Sequence, residues 1–149
     1  MLSLGLRTQA NRQPRRPIKL VLCAVSEYDA DCRPYPNEWL KLDESLMVAE
    51  IVRYHESLDE ETPESGWRLH ALLHCVVENQ IALDAGNVAA TETKLIRQGL
   101  TRHDAVHAIG SVIGADIFDI LKNNGTFDAK KYRGRLEKLT AKRWTKGKF

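Results

Sequence analysis

Two histidine pairs of identical spacing, His70-x-x-x-His74 and His103-x-x-x-His107, limit what this 149-residue chain can fold into more than any other feature of it. Side chains four apart are neighbours on an α-helix, about 40° apart around its axis, so each pair forms one stripe. Glu78 extends the first stripe by a further turn. Imidazoles on such stripes are costly to bury without partners. A fold that buries them must therefore bring the two helices together, so that the rings hydrogen-bond or hold an ion.

The rest of the chain supplies the helices. After the turn Pro34-Tyr-Pro-Asn37, apolar residues from Trp39 to Tyr54 recur at helical spacing, which predicts a first helix to about Ser57. Leu58–Ser65 reads as an acidic loop, with Thr62-Pro63 as the cap and first position of a second helix running to about Ala85. Asn87 opens a short third helix that ends at Gly99, and Thr101-x-x-Asp104 opens a fourth, which runs to Asn123-Asn124-Gly125. A last helix is expected from about Asp128 to Arg143. No stretch after residue 36 alternates as a strand would, so the expected fold is all-α, a four- or five-helix bundle. Residues 1–35, basic and interrupted by Pro14 and Pro17, read as an irregular N-terminal arm, with Ile18–Val25 as a short strand within it; residues 36–149 read as one helical domain with a basic C-terminal tail.

On the fourth helix, Gly110, Ser111 and Gly114 lie on the side of His103 and His107, with Ile117, Phe118 and Leu121 beyond them, while Thr101, Asp104, Asp119 and Lys122 lie elsewhere. The histidines of this helix therefore point into a packed seam, and the second helix, apolar on two sides and in the same register, is its natural partner. The seam gives a candidate metal site: His70, His74, His103 and His107, with Glu78 as a further ligand or general base. Nitrogen and carboxylate donors suit one transition-metal ion such as zinc, iron, nickel or copper better than calcium or magnesium. Asn79, Gln80 and Asp104 are placed to brace the ligands, His55 either joins the site or ends the first helix, and Cys75 is a core thiol.

Charge is uneven although the net charge is only +2. Residues 43–64 hold eight acidic side chains and one arginine, and residues 126–149 hold nine lysines and arginines against Asp128 and Glu137. Solvated faces account for such runs most simply; the alternative is that they meet each other or a protein partner, across a homodimer for example. No recognised nucleic-acid motif accompanies the basic tail, so nucleic acid is not an expected partner. No apolar run reaches the length a bilayer needs, so no membrane span is expected. Cys23, Cys32 and Cys75 are odd in number and lack C-x-x-C spacing, which points to reduced thiols in a cytoplasm rather than a disulfide framework.

The runs Glu38-Trp39-Leu-Lys-Leu-Asp43-Glu44, His70-x-x-x-His74-Cys-Val-Val-Glu78-Asn79-Gln80 and Arg102-His103-Asp-Ala-Val-His107-Ala-Ile-Gly110-Ser111 resemble small bacterial helical proteins grouped as a domain of unknown function. The resemblance covers about residues 36–145 and implies a helical fold and a cytoplasmic bacterial origin. A looser likeness is to hemerythrin-like bundles, with His55, His74-x-x-x-Glu78 and His103-x-x-x-His107 in the parts of their helix-borne ligands. The last helix lacks the His-x-x-x-x-Asp of those bundles, which argues against a bridged pair of irons. Two readings of function follow. One is transition-metal binding through the two histidine pairs, with hydrolysis by a metal-activated water if a coordination position stays open. The other is a non-catalytic interaction or dimerisation module whose histidines only pack and hydrogen-bond. No nucleophile constellation marks an enzyme, and no catalytic residue is named.

Overall fold

Helix caps set most of the chain's boundaries. The computed structural model describes residues 20–58 and 64–149; the basic arm up to residue 19, the acidic side chains at 59–61 and the Thr62-Pro63 cap lie outside the described residues. Seven helices are found among them: α1 (Pro36–Trp39), α2 (Glu44–Ser57), α3 (Glu64–Ala82), α4 (Val88–Arg97), α5 (Arg102–Asn123), α6 (Ala129–Lys138) and α7 (Ala141–Thr145). The fold is all-α, as the helical periodicity predicts.

Two expected helices are each divided by a capping side chain. The first breaks because Asp43 adopts an extended conformation and its carboxylate accepts the Leu46 N–H at 2.9 Å, which starts α2 afresh after α1. The last breaks at Leu139, also extended, after which Thr140 accepts the Arg143 N–H and starts α7. At α5 the cap falls where the sequence places it, with Thr101 Oγ1 accepting the Asp104 N–H at 3.0 Å. Replacing Thr101 by alanine is expected to cost about 1 kcal/mol, read as a lowered urea midpoint at unchanged slope. The end of α5 is also as expected: Asn124 takes the left-handed conformation at φ 48° and its N–H closes on the Ile120 carbonyl.

The greatest departure from expectation is at the N-terminal side. Residues 20–35 are mostly irregular, with a strand inside the expected Ile18–Val25 stretch, but they pack against the helices rather than standing apart as an arm. Two short parallel strands, β1 (Leu22–Cys23) and β2 (Arg33–Pro34), pair Leu22 with Arg33 and Cys23 with Pro34. That pairing brings the Cys23 and Cys32 Cα atoms to 5.8 Å, and the two side chains form a disulfide. The expectation of reduced thiols therefore fails at these two positions: thiols nine residues apart become neighbours once the strands pair. Between them, Val25, Tyr28 and Ala30 are buried.

Helix α3 is the central wall. One side, through Ala71 and Cys75, faces a core formed with Tyr28, Trp39, Met47, Ile51 and Tyr54. Its other side, through Val77 and Ile81, faces a second core formed with α4, α5 and α6, including Leu95, Ile109, Val112 and Leu136. This is the two-sided burial expected of that helix. Helix α5 runs antiparallel to α3, since Glu78 meets Arg102 while His70 meets His107. Near the histidines the helices come within side-chain contact, and a methyl group added at Gly110 would meet the Leu73 Cβ at 3.8 Å, an ordinary contact. The seam does not extend as far as expected, because Ile117, Phe118 and Leu121 are exposed.

The basic tail is held by α4 and α5. Arg135 pairs with Asp116 at 2.5 Å and reaches Asp119 at 3.4 Å. Lys94 donates to the carbonyls of Leu136 and Glu137, closing the C-terminal end of α6. Among the described residues, no helix is long and apolar enough to cross a membrane.

Candidate metal centre

All five histidines converge. One ring nitrogen from each of His55, His70, His74, His103 and His107 lies within 4.8 Å of the others. They come from three helices: His55 from the last turn of α2, His70 and His74 from successive turns of α3, and His103 and His107 from the first turns of α5. His55, His74 and His103 are buried, whereas His70 and His107 are half-buried. Trp67 and Tyr54 enclose the group, with ring centroids 5.7 Å and 5.2 Å from that of His55.

Hydrogen bonds at the backs of two rings fix which nitrogen faces inward. His55 Nδ1 lies 2.8 Å from the Ile51 carbonyl, which can only accept, so Nδ1 carries the hydrogen and Nε2 offers a lone pair. Tyr28 donates its hydroxyl hydrogen to Glu78 at 2.8 Å, which leaves its oxygen to accept from His74 Nδ1 at 3.3 Å. His74 therefore also presents a lone pair on Nε2, and that buried atom has no hydrogen-bond partner.

The inward nitrogens cannot all satisfy one another. His55 Nε2 lies 3.0 Å from His70 Nε2 and 3.1 Å from His103 Nε2, and His70 Nε2 lies 3.2 Å from His107 Nε2. With His55 Nε2 as an acceptor and every ring neutral, hydrogen bonds can properly serve at most two of these three contacts, since one lone pair or one hydrogen must be shared. Protonation would supply more hydrogens, but at His74 and His107 the environment opposes it. Burial and then the charges of His107, His55, His70 and His103 hold the His74 pKa well below the ordinary imidazole value. Burial and the neighbouring His103, His70 and His55 lower that of His107 to about 3. Several uncharged lone pairs meeting in one space are what a cation requires. For an ion bound at about 2.0–2.1 Å, adjacent nitrogens lie about 2.9–3.4 Å apart, the range in which these contacts fall.

Glu78, expected as a ligand or base, is engaged elsewhere. It forms a buried two-pronged ion pair with Arg102, at 2.9 Å to Oε1 and 2.7 Å to Oε2, in addition to the bond from Tyr28. The convergent group contains His55, and Glu78 is not part of it. Glu78 lies four residues beyond His74, on the stripe the spacing predicts, but antiparallel packing places it opposite the start of α5, where Arg102 is. It is linked to His74 through the Tyr28 hydroxyl. Asn79 and Gln80 are also taken up by other partners, accepting from Trp39 Nε1 at 2.8 Å and from the Tyr132 hydroxyl at 2.7 Å.

Arg102, Tyr28, Glu92 and Arg33 escape a reading of the sequence alone. Arg102 Nε donates to Glu92 at 2.6 Å, and Nη1 also reaches the carbonyls of Ala30 and Cys32. Arg33 completes the set with its own ion pair to Glu92. Burial would lower the Arg102 pKa, but Glu78 and Glu92 outweigh it and raise the pKa above its ordinary value. One signal was available: Arg102 is a charged residue placed next to His103 in the first turn of a helix whose middle, from Ala105 to Ala115, is apolar apart from His107 and Ser111. Cys75 is a core thiol as expected, its pKa pushed up to about 11 by burial and by Glu44 and Glu78.

Comparison with protein-family models, with curated proteins and with solved structures gave no match, so the chemistry of the site is argued from its own geometry.

Proposed function

We propose that the protein binds one transition-metal ion through His55, His70, His74, His103 and His107. The observation that carries this reading is the shortage of hydrogens at the cluster: nitrogens 3.0–3.2 Å apart, with His74 Nε2 buried and unpartnered. An ion at the centre would accept every lone pair at once, and the bonds from His55 to Ile51 and from His74 to Tyr28 hold those rings in the tautomer that ligation needs. An all-imidazole set suits zinc, iron, nickel or copper, and gives no reason to expect a hard, oxygen-seeking cation.

The test is metal analysis of untagged protein purified without chelator or nickel resin. About one ion per chain is expected, with loss of most of it in the His74→Ala, His107→Ala variant, whose helix content is checked by circular dichroism. Wild-type protein that carries no metal and takes up none of the four ions when they are added would defeat the proposal. The histidines would then be packing and hydrogen-bonding groups.

A further inference from the structure

A cleft of about 190 Å³ borders the cluster between α3 and α5, lined by His70, Leu73 and His74 of α3 and by His107, Gly110, Ser111 and Gly114 of α5. The two half-buried histidines both line it, so it is a side from which solvent reaches the cluster. His74, 2% exposed, also lines it and is the ring whose Nε2 has no partner. Charge determines what fits there. The convergent group consists of five imidazoles and no carboxylate, so ligands of this kind would add no negative charge to a bound ion. Glu78, one turn from His74, is already matched by Arg102. A divalent ion in this setting would keep its full charge in a largely buried space, where an opposite charge is strongly attracted.

We infer that the cleft admits a small monoanion, of the azide, formate or bicarbonate class, as an external ligand to the metal. The inference rests on the metal-binding reading above. The walls offer an anion little else: Ser111 spends its hydroxyl hydrogen on the His107 carbonyl at 2.8 Å, so the ion must be the anchor. Size is set by the glycines. A Cβ at Gly114 would meet Leu73 Cδ1 at 3.7 Å, and one at Gly110 would meet Leu73 Cβ at 3.8 Å, so a methyl group fits at either position in ordinary contact and a larger side chain would narrow the cleft further.

The experiment loads the full chain with cobalt(II), whose visible spectrum reports coordination number, and titrates it with sodium azide. A saturable spectral change is expected for the wild type. In Gly114→Val, cobalt content should be unchanged and the azide dissociation constant raised at least tenfold; Gly110→Ala should raise it less, and decides the matter alone if Gly114→Val does not fold. A cobalt-loaded protein that ignores azide overturns the inference and leaves metal binding standing, as does an azide affinity equal in wild type and both glycine variants. Failure to take up cobalt or any of the other ions overturns both.

Discussion

Replacing Arg102 by methionine is expected to destabilise the protein by about 3–5 kcal/mol, the usual cost of removing one partner from a buried ion pair. The guanidinium is 6% exposed as a residue and serves four groups together: Glu78, Glu92 and the carbonyls of Ala30 and Cys32. Methionine fills much of the volume but leaves Glu78 with only the Tyr28 hydroxyl and Glu92 with only Arg33. Two carboxylates, both buried, are then short of positive charge. Urea unfolding at pH 7 measures the effect, and a loss below about 1 kcal/mol would place the pair energetically with exposed ones. A milder change separates bracing from ligation. Glu78→Gln can still accept from Tyr28 and should retain bound metal; loss of metal from this variant with all five histidines intact would return Glu78 to the ligand set.

Metal-free protein should lose stability steeply as the pH falls below about 6.5. His107 is lowered to about 3 in the folded protein, chiefly by burial, and His74 well below its ordinary value for the same first reason. An unfolded chain protonates these rings near pH 6.5, whereas the folded chain does not until far lower. Between those limits the unfolded state binds more protons, so stability rises with pH and is lost on acidification. Each ring that is charged in the unfolded state and neutral in the folded state contributes a slope of about 1.4 kcal/mol per pH unit. Above pH 6.5 both states hold neutral rings and the term vanishes. Thermal unfolding of chelator-treated protein at half-unit steps from pH 4 to 8 reads this directly. A flat profile between pH 5 and 6.5 would show that the two rings are not held neutral, while the His74→Ala, His107→Ala variant should flatten the curve if they are.

The helices and the pairing of α3 with α5 could be read from the sequence because both are local or periodic properties. Spacing alone places His70 beside His74 and His103 beside His107, and the glycines of α5 mark where a neighbour comes close. His55 was harder, because a lone histidine at a helix end carries no periodic signal and joins the cluster through the packing of α2 on α3. Glu78 was found, but its pairing with Arg102 was not: the stripe on α3 fixes its direction, whereas which residue of α5 it meets depends on the antiparallel alignment. Tyr28 and Ala30 were read as part of an arm because their burial depends on the pairing of β1 with β2. Two-residue strands have too little pattern to announce themselves.

The opening turn of α5 serves as the datum of the site. Thr101 closes the end of the helix, Arg102 reaches across to α3, α4 and the carbonyls of residues 30 and 32, and His103 gives its N–H to Asp31 at 3.1 Å and its ring to His55. Three consecutive residues thus fix the helix along its axis, across it and in rotation. Errors in such a part accumulate with distance from the reference point. His103 and His107 lie within about one and a half turns of it, so their positions inherit its accuracy. Ile117, Phe118 and Leu121 lie four to five turns further on and are exposed, where bending or changes in length would be absorbed without reaching the imidazoles.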